Sequence, residues 1–188
     1  MQHRGIAAGV FVAALVGAGV AAALLTQPAT SEKSVAEAGP GQINACDMIS
    51  AAEIQRVIGV PVREVQRQDD GITRDGTYSS TCFFNTSEDP ERGGTYAILN
   101  AQIWPEGSAG PEHFLESFYE AAEEHVIPAP PIELPYGDRS LHWGDGVAVM
   151  VGNMSFGISV RHSSPDRSIR RLMEEMLAKQ ILENMGRG

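Results

Sequence analysis

The spacing of apolar and polar positions changes several times along the chain. After the opening MQHRG, residues Ile6 to Leu25 run without a charge or a strong hydrogen-bonding side chain. About twenty such residues, at about 1.5 Å rise each, form a helix that crosses a hydrocarbon core of about 30 Å. The following stretch is rich in Pro, Gly, Ser and Thr and buries too little surface to offset its chain entropy, which predicts a flexible tether. From Asn44 onward the pattern is that of folded structure. Ser50 with Glu53 makes a capping box, Ile54, Val57 and Ile58 make a stripe, and Gly59 ends it, so a short helix is expected. VREVQRQ, in which apolar and polar residues alternate on from Val62, reads as a strand, DDGITRDGTYSS as a polar loop, and TCFFN and TYAILNAQIW as two further strands.

Gly110-Pro111 opens a second helix, with Phe114, Leu115, Phe118 and Ala122 on one face and glutamates on the other. Beyond the proline-rich VIPAPPIELP, a short strand is expected at Arg139 to Trp143. In GVAVMVGNMSFGISVRH, Gly152-Asn153 supplies a two-residue type II′ turn. The implied register sets Val151, Val149 and Val147 against Met154, Phe156 and Ile158 on one apolar face. The other face carries Ala148, Met150, Ser155, Gly157 and Ser159, small enough to admit a helix closely or to floor a shallow groove; helix packing is the preferred expectation. Pro165 opens the last helix, whose Ile169, Leu172, Met173, Met176, Leu177, Ile181 and Met185 recur at three and four and predict one core-facing stripe, its methionines being packing rather than a soft-metal site.

These elements predict an α+β domain: a mostly antiparallel sheet of about five to seven strands packed with about three helices. The division is residues 1–26 as an N-terminal signal anchor, 27–43 as linker and 44–186 as one extracytoplasmic domain of common size. The nearest small-x-small cleavage site, Ala36-Glu37-Ala38, lies well beyond the apolar run, which favours a retained anchor over a cleaved signal. Arg4 on the short side orients the domain outward. Gly5, Gly9, Ala13, Gly17 and Ala21 recur every four residues, a face that would allow a homodimer through the span, although Ala and Gly are common in such segments anyway.

A formal charge of −10 with scattered Lys and Arg argues against nucleic acid as partner. The two cysteines, Cys46 and Cys82, both follow the span, and an oxidising compartment predicts that they pair. Zinc would need about four ligands, yet His113, His125, His142 and His162 show no ligand spacing; a catalytic Cys would need a neighbouring base that spacing does not supply. Cys46 lies too far beyond the apolar run for lipid attachment. No cofactor and no metal site is read. GNMSFG does not meet the nucleophile-elbow pattern, and Asp69, Asp70 and Asp75 lack the bidentate Glu of a calcium loop. The polar grouping that merits testing is Asp138, His142 and Asp145 around Trp143, with turn capping by the two aspartates as the simpler role.

The stretch ACDMISAAEIQRVIGVPV, then TCFF, then LPYGDRSLHWGDGVAVMVGNMSFGISV and a closing amphipathic helix, resembles a family of bacterial cell-envelope domains of unknown function common in actinobacterial lipoproteins, which open with Cys-Asp-Leu-Leu-Thr. Asp47 to Ser50, Cys82-Phe83 and Gly137-Asp138 with Trp143 carry the likeness. Arg139-Ser140-Leu141 stands where the family has a small residue, and the lipid-attachment Cys is lacking. The resemblance implies paired cysteines and a bacterial cell envelope, which together with the apolar run gives an expected place at the bacterial inner membrane, and it brings no catalytic residue. Two functions are expected from all this. The first is a membrane-tethered, non-catalytic module that binds a protein or a small apolar ligand; the alternative is a periplasmic hydrolase or metal-dependent enzyme using Asp138, His142 and Asp145.

Overall fold

The computed structural model describes residues 42–86, 94–163 and 166–186. The apolar run with its small-residue face, most of the tether and Pro165 lie outside the described residues. Among the described residues no helix is long and apolar enough to cross a membrane.

The chain enters through a 3₁₀ turn at Ala45–Asp47 and then helix α1, Ala51–Ile58. The capping box forms as expected: the Ser50 hydroxyl accepts from the Glu53 N–H, and the Glu53 carboxylate accepts from the Ser50 N–H at 2.7 Å. Such a cap contributes about 1 kcal/mol to a helix of only two turns. Those bonds from the Ser50 N–H and hydroxyl hold the Glu53 carboxyl below its ordinary pKa. Gly59 closes the helix at φ 74°.

Strands β1 (Val62–Ile72), β2 (Tyr78–Thr86) and β3 (Tyr96–Ile103) form a meander; helix α2 (Gly110–Glu123) follows, then β4 (Ile132–Leu134), β5 (Arg139–His142), β6 (Val147–Val151) and β7 (Met154–Arg161), and helix α3 (Arg167–Asn184) closes the chain. The fold is α+β, with three α-helices and one seven-stranded antiparallel sheet in the order β1-β2-β3-β7-β6-β5-β4. Two meanders meet where β3 pairs with β7, Leu99 opposite Ile158. The β6–β7 hairpin has the register read from the sequence, Val151 to Met154, Val149 to Phe156 and Val147 to Ile158. Its turn has positive φ at Gly152 and not at Asn153, as a type II′ turn requires.

One sheet face carries Cys82, Phe84, Leu99, Phe156, Ile158 and Val149, all fully buried beneath Ile54 and Ile58 of α1 and Leu177 and Ile181 of α3. The Cys46–Cys82 disulfide pins the entry turn to β2. The opposite face is covered over β5 and β6 by α2, where Leu115 packs on Leu141, Ala148 and Met150.

Four expectations need correction. The loop expected at DDGITRDGTYSS is far shorter: Asp69 to Ile72 continue β1 and Tyr78 opens β2, since pairing with β2 satisfies a backbone whose side chains face water. The proline-rich passage contains a strand, β4, held by β5. The strand expected through Trp143 ends at His142. The last helix does not bury all of its expected stripe: Ile169, Leu172 and Met176 are exposed, and the buried face is Glu174, Leu177, Ala178, Ile181 and Leu182.

Candidate functional site

The end of β5 and the β5–β6 turn hold three of the four residues singled out from the sequence, His142, Trp143 and Asp145. His142, the last residue of β5, is opposite Val147 in the sheet register and faces α3. Its Nδ1 accepts from the Gly144 N–H at 3.1 Å, which places the ring hydrogen on Nε2, where it is donated to Glu174 Oε2 at 2.9 Å. The other oxygen, Glu174 Oε1, accepts from the Val160 N–H at 3.1 Å. Glu174 is fully buried and His142 nearly so. A carboxylate taken out of water is tolerated only where its lone pairs are satisfied, and here strand β7 and the imidazole together do that.

Trp143 turns to the opposite sheet face. Its ring stacks on Phe118 of α2 with centroids 4.7 Å apart and lies over Gly146 and Gly157. A Cβ on Gly146 would stand 2.4 Å from the indole and 2.7 Å from the Ile158 carbonyl, so glycine is required there. Asp145, largely exposed, pairs with Arg170 of α3 at 2.8 Å. Asp138 lies at the far end of β5, where its Oδ2 accepts from the Gly152 N–H at 2.6 Å and so caps the β6–β7 turn. Neighbouring Gly137 has φ 59°, and a Cβ there would meet the Met150 carbonyl at 2.6 Å. The structure therefore brings together His142, Trp143 and Asp145 along one turn and puts Asp138 elsewhere. None of the four shares a hydrogen bond with another of the four, and among the described residues no three His, Cys, Asp or Glu side chains gather as a metal site would require.

The sheet-face groove offered as the alternative for Met150, Ser155, Gly157 and Ser159 is largely filled. Met150 and Ser155 are buried, Trp143 and Phe114 lie over Gly157, and the Ser155 hydroxyl accepts from Trp104 Nε1 at 2.9 Å. The small side chains are there because aromatic rings and α2 approach the strand closely, which is the packing role expected first. Ser159 stays half-buried.

Two hollows remain. One, of about 500 Å³, lies between the β1–β2 turn and Trp104. Arg74 and Asp75 both line it, so it has no single sign. The Thr77 hydroxyl, buried there without a hydrogen-bond partner, is too enclosed to meet a molecule in the hollow. The other, of about 250 Å³, is lined by the apolar Pro128, Pro130, Ile132 and Trp143 together with His142 and with Arg167 and Arg171 of α3. Ile132 is half exposed, an apolar side chain on an edge strand facing this space.

Sequence reasoning found His142 and Trp143 in this second hollow and missed the rest. Glu174 had a signal, since it falls three and four residues before Leu177 and Ala178 and so shares their face. The walls from Pro128 to Ile132 had none, because their place depends on β4 pairing with β5. No family model, curated protein or solved structure matches the chain.

Proposed function

We propose that the chain is a membrane-tethered, extracytoplasmic, non-catalytic binding module of the bacterial envelope that takes a small apolar ligand in the hollow beside Trp143. The observation that carries the reading is the lining of that hollow: prolines, Ile132 and Trp143 line a mostly apolar concavity, while the imidazole of His142 beside it is already bonded within the protein at both nitrogens. Preformed, mostly apolar concavities with few polar groups are what small-molecule sites look like. The disulfide supports the compartment, since such bonds persist in oxidising spaces. The apolar run at Ile6 to Leu25 supports the tether.

The hydrolase alternative needs an acid and a base with free atoms facing a common space. Both ring nitrogens of His142 are engaged, Asp138 caps a turn and Asp145 is held by Arg170, so no observation favours it.

The test is titration of the full chain with N-phenyl-1-naphthylamine, an uncharged dye that brightens in apolar surroundings. Saturable brightening is expected, with Ile132→Glu, which puts a charge on an exposed wall without touching the core, weakening it by about tenfold or more. Brightening that does not saturate, or that Ile132→Glu leaves unchanged, would overturn the proposal.

A further inference from the structure

The hollow beside Trp143 differs in sign from the protein around it. The chain carries 24 acidic against 14 basic Lys and Arg residues, yet no Asp or Glu lines this space and its permanently charged lining groups are two guanidiniums, Arg167 and Arg171. The remaining ionisable group at the hollow, His142, is spoken for, with both nitrogens bonded. The guanidiniums themselves are unequally committed. Arg171 Nε donates to Glu175 Oε1 at 2.8 Å, one turn further along α3. Glu175 in turn accepts from the Tyr136 hydroxyl, and although its partial burial works the other way, Arg171 and Tyr136 hold its carboxyl below the ordinary pKa. Arg167 makes no ion pair among the described residues and is exposed. The neighbouring Arg170 turns away to Asp145. The first turns of α3 thus bring to a mostly apolar concavity one arginine without an ion pair among the described residues and a second held by a single carboxylate.

Resting on the reading of this hollow as a ligand site, we infer that the ligand is a small anionic amphiphile: a short aliphatic body against Pro128, Pro130, Ile132 and Trp143, with a terminal carboxylate against Arg167 and Arg171. The planar guanidinium fork matches a carboxylate with two parallel N–H···O bonds, and the apolar walls lower the local dielectric that would otherwise weaken them. Volume bounds the body. About 250 Å³ lies under the range of about 300–1,000 Å³ that holds drug-sized ligands, so the site takes a short chain or the end of a longer one.

Three probes share one body and differ in charge: octanoate, 1-octanol and octylamine, each titrated into the full-length protein while the Trp143 indole N–H signal is followed by NMR, with that of Trp104 as internal control. Octanoate is expected to shift Trp143 alone and to bind about tenfold more tightly than octanol, with octylamine weakest. Raising the ionic strength from about 0.01 M to about 0.15 M, which shortens the Debye length from about 30 Å to about 8 Å, weakens octanoate and leaves octanol unchanged. Arg167→Gln combined with Arg171→Gln removes the preference for octanoate and leaves octanol affinity as it was. Equal binding of octanoate and octanol, or a preference for octylamine, overturns the anionic assignment and leaves the apolar-ligand reading standing. If none of the three moves the Trp143 signal, both fall.

Discussion

Replacing Glu174 with Gln changes one oxygen to an NH₂ group and leaves the side-chain shape nearly intact, so it isolates the hydrogen bonding from the packing. The site offers three fixed donors and acceptors. The Val160 N–H points at one carboxylate oxygen and the His142 Nε2–H at the other, while the Gly144 N–H occupies His142 Nδ1. A glutamine can present its oxygen to Val160 or to His142, and in either case its NH₂ faces a donor. Moving the ring hydrogen from Nε2 to Nδ1 rescues the first contact and sets Nδ1–H against the Gly144 N–H instead. The first two arrangements strand a buried donor and the third sets two donors against each other at a part-buried contact, at a cost of about 1–3 kcal/mol. Removing either partner outright, as in Glu174→Ala or His142→Ala, costs about 3–5 kcal/mol, because a buried polar or charged group is then left without its counterpart and a void opens. The double replacement His142→Phe with Glu174→Leu removes the pair and fills its space but leaves the Val160 N–H without its acceptor, so it should come closer to the parent than Glu174→Ala without matching it. Urea unfolding with the disulfide intact measures this. With a slope of about 2 kcal/mol per molar, Glu174→Gln should lower the midpoint by about 0.5–1.5 M at unchanged slope. A midpoint within about 0.2 M of the parent would refute the donor assignment at Glu174.

The Cys46–Cys82 bond closes a loop of sequence separation 36, and in the chain-entropy model its loss removes about 3–4 kcal/mol, so Cys46→Ala with Cys82→Ala should lower the urea midpoint at least as far as Glu174→Gln does. An unchanged midpoint would mean that the unfolded chain is already held compact there. Gly137→Ala should be among the costlier small substitutions, since the residue has positive φ and a methyl would meet the Met150 carbonyl at 2.6 Å; Gly71→Ala, with φ 72° and nothing within 4 Å of the added carbon, is its control. Thermal melts should place Gly137→Ala below Gly71→Ala by several degrees, and equal melting temperatures would show that the β4–β5 turn yields to the methyl.

How much of this was legible in the sequence depended on how far apart in the chain the deciding residues lay. The Ser50–Glu53 cap and the Gly152-Asn153 turn are decided by residues within a few positions of each other, and both form as read. Strand β1 was cut short because alternation is visible only where one side of a strand is buried, and Asp69 and Asp70 are exposed on an edge whose order comes from pairing with β2. Its charged, bulged outer edge also discourages further strands from adding. Helix α3 shows the sharper failure. At about 100° per residue, Ile169, Leu172 and Met176 fall on the side of the helix away from Glu174, Ala178 and Ile181. Met173 and Leu177 lie between, so spacings of three and four join two faces into one apparent stripe. A carboxylate in the middle of the true core face reads, from sequence, as the polar side. What reverses that reading is His142, 32 residues earlier, together with a backbone N–H left to bond on β7. The same reversal brings Arg167 and Arg171 beside Trp143, so the chemistry of the hollow follows from where one buried glutamate finds its hydrogen bonds.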